Sequence, residues 1–327
     1  MNRVRWLILI LGPLPIAGSS WAVSTWFKST PSAAVVRNSV VATPRGEVAL
    51  AMDDHVAMAD VHHPALAEAC AQKAARWRKD LGAECRVVVR PPFVLAGDLS
   101  DEELDRWYES SIAPAVRAMQ AAYFKTAPNE PVTMLLFRGE ASYNHYCRKL
   151  FGDRDISVFG YYKPNLRTLV LNVDTGGGTL LHELTHALVD FDFPQAPDWL
   201  NEGLASLHEQ CRFRTGPNGP WIEGLVNWRL EGLQEVIRQG RLRSLESLVV
   251  DPEFRGHLVG ANYAQARFFC LYMQDKGVLE QVYEDCRRDP IGDPRGLRAV
   301  AKAFPGMTWS ELDLDFQAWV AQFDKTP

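Results

Sequence analysis

Three features are missing from the 327-residue sequence, and each absence narrows the range of functions. No basic stripe is present and the formal net charge is −5, which argues against a nucleic-acid partner. No Cys-x-x-Cys spacing occurs, so neither a thiolate zinc site nor a thioredoxin-like motif has support. No Lys-Ser or Lys-Thr follows the glycines at 176–178, so we interpret them as a loose turn and not as a phosphate-binding loop.

The first residues have the pattern of an export signal and not of a membrane span. The apolar stretch from Trp6 to Ala17 is interrupted by two prolines and is shorter than the roughly 20 residues that cross a bilayer. Two arginines lie within residues 2–5, before this stretch, and small residues suited to cleavage follow it at Ser20 and Ala22. We therefore predict a signal peptide over residues 1–22 and an extracytoplasmic location, periplasmic or secreted. A retained N-terminal membrane anchor is the alternative.

All six cysteines lie after the predicted signal peptide, and an even number in an exported chain permits disulfide bonds. Six cysteines allow 15 complete pairings, and the sequence does not select one of them. The locally plausible pairs are Cys70 with Cys85 and Cys270 with Cys286.

The pattern along the chain predicts one α+β domain after a linker. Residues 23–64 lack clear periodicity and form the predicted arm. Within the domain, residues 65–190 form an α/β half and residues 191–327 a mainly helical half. Apolar runs predict strands within residues 85–96, 131–137, 158–162 and 168–173. Helical spacing of apolar residues, with a capping box at Ser100, predicts helices at 64–79, 100–125 and 140–151.

Residues 182–186 read His-Glu-Leu-Thr-His, a pattern typical of a catalytic zinc helix. One helical turn takes 3.6 residues, so His182 and His186 lie on the same face, where one metal ion can bridge both imidazoles. Glu183 lies about 100° from His182 on the helical wheel, and the neighbouring leucines occupy the opposite, apolar face. The helix therefore separates a chemical face from a packing face.

Glu202 is the predicted third ligand, on a helix that begins near Pro197. Two histidines and a glutamate with an open fourth position commonly hold catalytic zinc, so we predict one Zn²⁺ per chain. Glu209 is the alternative ligand, and His208 is interpreted as structural. Asp190 and Asp198 are the candidates for orienting the histidine rings.

These segments together resemble the gluzincin clan of metallopeptidases, and in particular its peptidase MA-like domain. The resemblance is carried by His182–His186 and by Pro197-Asp-Trp-Leu-Asn-Glu-Gly-Leu-Ala205, and it extends more weakly over residues 92–323. It implies a zincin-like, thermolysin-like fold: a small mixed sheet and the active-site helix, followed by a mainly helical C-terminal half. The thermolysin-like pattern places an aspartate four residues after the glutamate ligand, where this chain has Ser206, so the orienting group stays open.

The resemblance also implies a mechanism and a substrate class. Glu183 would be the general base for a water that attacks the carbonyl of a peptide or protein substrate. Tyr263 is the candidate donor to the developing oxyanion, with His257 as the alternative, although Tyr263 reads equally well as a core aromatic. We predict that the strand at 168–173 forms the edge of the cleft. The competing functions are a catalytically inactive, peptidase-like protein that binds a partner in the envelope, and a zinc hydrolase of non-peptide amides.

Overall fold

The computed structural model describes residues 64–154, 156–216, 219–256 and 259–323. The predicted signal peptide over 1–22 and almost all of the predicted arm over 23–64 therefore lie outside the described residues, as does His257. None of the helices in the described ranges is long and apolar enough to cross a membrane.

A five-stranded mixed sheet forms the centre of the N-terminal half. Its strands are β1 (Arg86–Arg90), β2 (Phe93–Gly97), β3 (Val132–Phe137), β4 (Gly160–Lys163) and β5 (Thr168–Asn172). They lie in the order β1-β2-β3-β5-β4. The three inner strands are parallel, and both edge strands pair antiparallel to their neighbours. Continuous apolar sequences such as Val-Thr-Met-Leu-Leu-Phe suit strands that are covered on both faces.

Helices cover both faces of this sheet. On one face, α1 (Pro64–Leu81) and α4 (Gly139–Phe151) pack against side chains such as Leu135, Phe137 and Val170. On the other face lies α5 (Gly177–Asp192), where the hydroxyl of Tyr162 donates a hydrogen bond to Asp190 over 3.1 Å. The predicted helix after Ser100 consists of α2 (Asp101–Trp107), one π-helical turn and α3 (Ala113–Ala122). Its predicted capping box is formed between Ser100 and Glu103.

The C-terminal half is mainly helical, as predicted. A five-residue connection, 193–197, separates α5 from α6 (Asp198–His208), which packs along α9. The remaining helices are α7 (Arg229–Arg238), α8 (Leu245–Val250), α9 (Val259–Asp275), α10 (Leu279–Arg288), α11 (Leu297–Ala303) and α12 (Trp309–Ala321). Gly203 permits the close contact of α6 and α9, since a Cβ there would lie 2.9 Å from the carbonyl oxygen of Ala266. The predicted fold class, α+β with a small mixed sheet, is confirmed.

Two predictions about strands are wrong. The strand predicted to form the cleft edge, now β5, is paired on both sides, and the edge beside α5 is β4. The order of strands in a sheet depends on how the chain crosses over, which apolar patterning does not record. An antiparallel hairpin in the helical half, formed by β6 (Cys211–Gly216) and β7 (Gly219–Gly224), was not predicted.

Neither of the two locally plausible disulfide pairs is joined, because all six cysteines are free thiols. The sulfurs of the second pair are packed in different places. Cys270 faces Gly203 of α6, whereas Cys286 faces Gly296, and a Cβ at either glycine would lie 2.7 Å from the adjacent sulfur.

Candidate metal centre

Three buried side chains from α5 and α6 converge on one point. The Nε2 atoms of His182 and His186 lie 3.1 Å apart. Oε2 of Glu202 lies 3.6 Å from Nε2 of His182 and 3.4 Å from Nε2 of His186. All three residues are buried, and together they could hold a metal ion. These are the three residues that the sequence predicts as ligands, and the fold brings them together.

The triangle of donor atoms has the size that a small divalent cation requires. A point equidistant from the three atoms of a triangle with these edges lies about 2 Å from each, close to the ligation distances of roughly 2.0–2.2 Å for nitrogen and oxygen on zinc. Oε2 of Glu202 has no hydrogen-bond partner within the described residues although it is fully buried. An unpaired buried carboxylate oxygen is costly unless a cation or donor occupies the adjacent space.

The second ring nitrogen of each histidine, Nδ1, faces an acceptor. These contacts determine where the lone pair of each Nε2 points. Nδ1 of His186 donates a hydrogen bond to Oδ1 of Asn201 over 2.9 Å. Nδ1 of His182 lies 3.1 Å from Oε1 of Glu209, an electrostatic contact whose angle falls outside that of a hydrogen bond. Both contacts favour the proton on Nδ1, so both Nε2 lone pairs point at the common centre.

The prediction that Asp190 or Asp198 orients the histidine rings is therefore wrong. Asp190 accepts hydrogen bonds from Tyr162 and Arg167, and Asp198 lies 3.3 Å from Arg255. Helical periodicity places Asp190 on the ligand face of α5, but the side chain is held at the sheet, away from the rings.

Glu209 lies behind His182 and is not one of the three converging donors. It pairs with Arg229, whose Nη2 is 2.8 Å from Oε1, and this guanidinium holds the pKa of Glu209 at about 2 despite burial. Glu209 follows Glu202 by two helical turns, so the two carboxylates share a face of α6 and its continuation. The carboxylate that the resemblance implies at Ser206 is thus supplied three residues later.

The buried carboxylates around the centre favour a positive charge between the two imidazole rings. Burial lowers the pKa of His182, but the carboxylates of Glu202, Glu209 and Glu183 outweigh burial and raise it to about 10. Burial raises the pKa of Glu202. The neighbouring imidazoles and the guanidinium of Arg255 lower it by more, so the pKa of Glu202 lies well below its usual value. A bound divalent cation would satisfy the same carboxylates without protonation of a ring.

Glu183 is buried beside the ligands, and no described residue forms a hydrogen bond with its carboxylate. Burial raises the pKa of Glu183, and the nearby imidazoles counteract this only in part. A carboxylate that is buried, close to the metal ligands and unpaired is suited to exchange a proton with a water molecule in the centre.

Tyr263 approaches the same centre from α9. Its side chain is 6% exposed, its ring lies 5.6 Å from that of Phe254, and its hydroxyl interacts with Glu202 and Arg255. Burial is the main reason why the pKa of Tyr263 is raised, so the hydroxyl keeps its proton and can donate it to an acceptor. The fold therefore places this candidate next to a ligand 61 residues earlier in the chain.

His208 does not join the centre, in agreement with its structural interpretation. Its Nδ1 is paired with the hydroxyl of Thr185 over 2.9 Å, and burial lowers its pKa to about 3.

Three residues around the centre were not predicted: Asn201 and Arg255, which contact the donors, and Arg229, which pairs with Glu209. Asn201 precedes Glu202 directly and carries an amide oxygen suited to accept from an imidazole, so its residue type was a usable signal. The two arginines are distant in sequence from the residues they contact, and nothing in the local pattern marks them.

No known protein-family model matches the chain, and no curated protein sequence matches it either. The candidate centre therefore depends on its own geometry and chemistry.

Proposed function

We propose that this protein is a zinc-dependent metallopeptidase with a zincin-like, gluzincin-type fold, acting outside the cytoplasm after removal of residues 1–22. The observation that carries the proposal is the triangle of buried donor atoms from His182, His186 and Glu202, with the buried carboxylate of Glu183 beside it. Two nitrogens and one oxygen suit zinc, and three protein ligands leave a coordination place open for water or substrate.

A zinc ion in this centre would supply Lewis acidity, polarising a substrate carbonyl and lowering the pKa of water toward neutrality. Glu183 accepts the proton from the attacking water and transfers it to the leaving amine. Tyr263 donates a hydrogen bond to the carbonyl oxygen as that oxygen gains negative charge. Asn201 and Glu209 keep the Nε2 lone pairs of the two histidines directed at the metal.

The sheet edge beside α5 gives an extended peptide a place to bind. In the antiparallel pair of β4 and β5, the residues at alternate positions of the edge strand direct their main-chain groups outward. The amide of Asn172 donates to the carbonyl of Phe159, so the alternation assigns the outward main-chain groups to Gly160 and Tyr162. A peptide substrate could add to β4 through these groups.

The first prediction concerns metal content and Glu183. The purified protein should contain about one zinc per chain, measured by plasma mass spectrometry. Glu183→Gln should retain this zinc and lower the hydrolysis rate of a generic peptide library by about 10²-fold or more, because the amide does not accept the proton. Products would be mapped by mass spectrometry with and without chelator.

Three outcomes would contradict the proposal. Folded protein that takes up no zinc would exclude the metal centre. Unchanged turnover in Glu183→Gln would remove Glu183 from the mechanism. Hydrolysis of N-acyl amides with no cleavage of any peptide would replace peptides as the substrate class while leaving the metal centre in place.

A further inference from the structure

The two carboxylate oxygens of Glu202 have different partners, and the second partner was not predicted. Oε2 faces the imidazoles of the metal centre, whereas Oε1 accepts a hydrogen bond from Nη2 of Arg255. The other terminal nitrogen, Nη1, lies 3.3 Å from Oδ1 of Asp198. The planar guanidinium thus bridges two carboxylates that stand one helical turn apart on α6, at positions 198 and 202.

The segment that carries Arg255 is firmly attached to α9. Phe254 is buried, and its carbonyl accepts a hydrogen bond from Nδ2 of Asn262 over 2.8 Å. Earlier in the same segment, Asp251 pairs with Arg243 over 2.5 Å. Arg243 also donates to Oδ1 of Asn262 over 3.1 Å. The backbone on the N-terminal side of Arg255 is therefore fixed by buried contacts, although the Arg255 side chain is 37% exposed.

A glutamate can bind a metal through one oxygen or through both. A guanidinium that holds one oxygen by a charge-assisted hydrogen bond removes that oxygen from the metal. It also draws negative charge away from the ligand, which leaves the bound metal more electrophilic.

We propose that Arg255 is a positioning residue that restricts Glu202 to ligation through Oε2 alone and so keeps a coordination place open for water or substrate. This inference rests on the metal centre of the proposed function. It also gives Asp198, predicted as a histidine partner, a different role, because Asp198 holds the second arm of the arginine.

The test compares Arg255→Gln with the unchanged protein by two measurements that do not depend on turnover. Zinc affinity, measured by competition with a chromophoric chelator, should rise, because Oε1 then also binds the metal and no guanidinium draws charge from the carboxylate. In the Co²⁺-substituted protein, the visible d–d absorption should weaken as Oε1 joins the metal and raises its coordination number. Arg238→Gln is the matched control, because Arg238 is 62% exposed and its ion pair among the described residues is with the exposed Glu235 of its own helix.

Arg255→Lys separates positioning from simple charge neutralisation. Lysine retains the positive charge but has no planar fork to bridge Asp198 and Glu202. We expect Arg255→Lys to show the same direction of change in the cobalt spectrum, with a smaller rise in zinc affinity because the positive charge is kept. Arg255→Lys can also replace Arg255→Gln in both measurements if the glutamine variant does not fold.

Two results would overturn the inference. A Co²⁺ spectrum and a zinc affinity in Arg255→Gln equal to those of the unchanged protein would show that Glu202 needs no partner. Full recovery of both values in Arg255→Lys would show that only charge matters. Absence of metal from the unchanged protein would instead refute the proposed function itself, so the two failures are distinguishable.

Discussion

At the scale of single residues, the candidate metal centre is defined by what each ligand contacts with its other polar atom. His186 donates to Asn201, His182 faces Glu209, and Glu202 accepts from Arg255. The two histidines could be predicted because their spacing follows from the helical repeat, and Glu202 because a helix begins near Pro197 and catalytic zinc is commonly held by two histidines and a glutamate. Their partners could not, because a contact across 53 residues, as between Glu202 and Arg255, leaves no periodic trace in the sequence.

Tyr263 allows the oxyanion role to be tested by removal of one hydroxyl. If this hydroxyl stabilises the developing oxyanion, Tyr263→Phe should lower kcat by about 10²–10³-fold, as removal of an oxyanion donor does. Zinc content should not change, because the phenol is not a ligand. Steady-state kinetics on a peptide identified from the library would measure the effect.

Tyr272→Phe is the control for Tyr263→Phe. Tyr272 lies on the same helix, α9, but its hydroxyl donates to Asp315, away from the metal centre. We expect unchanged kcat in this variant. An equally small effect in Tyr263→Phe would assign Tyr263 to the core and leave the oxyanion to another donor.

At the scale of helices, the approach of α6 to α9 determines where Glu202 and Tyr263 meet. A Cβ at Gly203 would lie 2.7 Å from the sulfur of Cys270 and 2.9 Å from the backbone oxygen of Ala266. Alanine gains up to about 1 kcal/mol of helix propensity over glycine, while overpacking costs about 1–3 kcal/mol. Because the obstruction includes backbone, Gly203→Ala should lower the free energy of unfolding by about 1–2 kcal/mol, measured by denaturant titration.

Gly260→Ala is the control, because it should not lower the free energy of unfolding. Gly260 also lies in a helix, near the start of α9, but a Cβ there would meet no atom within 4 Å. The substitution then changes only the helix propensity, without overpacking. The variant should be as stable as the unchanged protein or more stable by up to about 1 kcal/mol. Stabilisation by Gly203→Ala of the same size would show that α6 and α9 can separate without cost.

The helices and inner strands of the N-terminal half could be predicted because each carries a strong local pattern. β3 is an apolar run interrupted only by Thr133, and α2 begins with a capping box. The position of β4 at the sheet edge could not be predicted, since it depends on the pairing of β3 with β5. The β6–β7 hairpin was missed because both strands are short and contain glycine, and β7 also proline and glutamate, which are depleted in strands.

At the scale of the whole molecule, Asp192 at the end of α5 connects the two halves. Its side chain is fully buried. Oδ1 accepts from the amides of Lys125 and Thr126, over 2.8 Å each, and Oδ2 accepts from the hydroxyl of Tyr283 over 3.0 Å. One carboxylate thus joins the loop after α3, the ligand helix and α10.

Asp192→Ala should therefore destabilise the protein as a whole. It leaves partly buried amide groups and a buried hydroxyl unpaired, which we expect to cost about 2–4 kcal/mol of unfolding free energy. Asp80→Ala is the control, because the ion pair of Asp80 among the described residues is an exposed one with Arg76 on α1. Its loss should cost less than about 1 kcal/mol. Equal midpoints for the two variants in thermal denaturation would contradict the connecting role of Asp192.

The five-residue link between α5 and α6 has a consequence for how the centre assembles. Loop-closure entropy is small for a short connection, so the donors meet as soon as this helical pair forms. The groups that aim those donors come from residues as far along the chain as Arg255. The donors of the candidate centre are thus contributed by one local helical pair, whereas the groups that orient them are in place only in the completed fold.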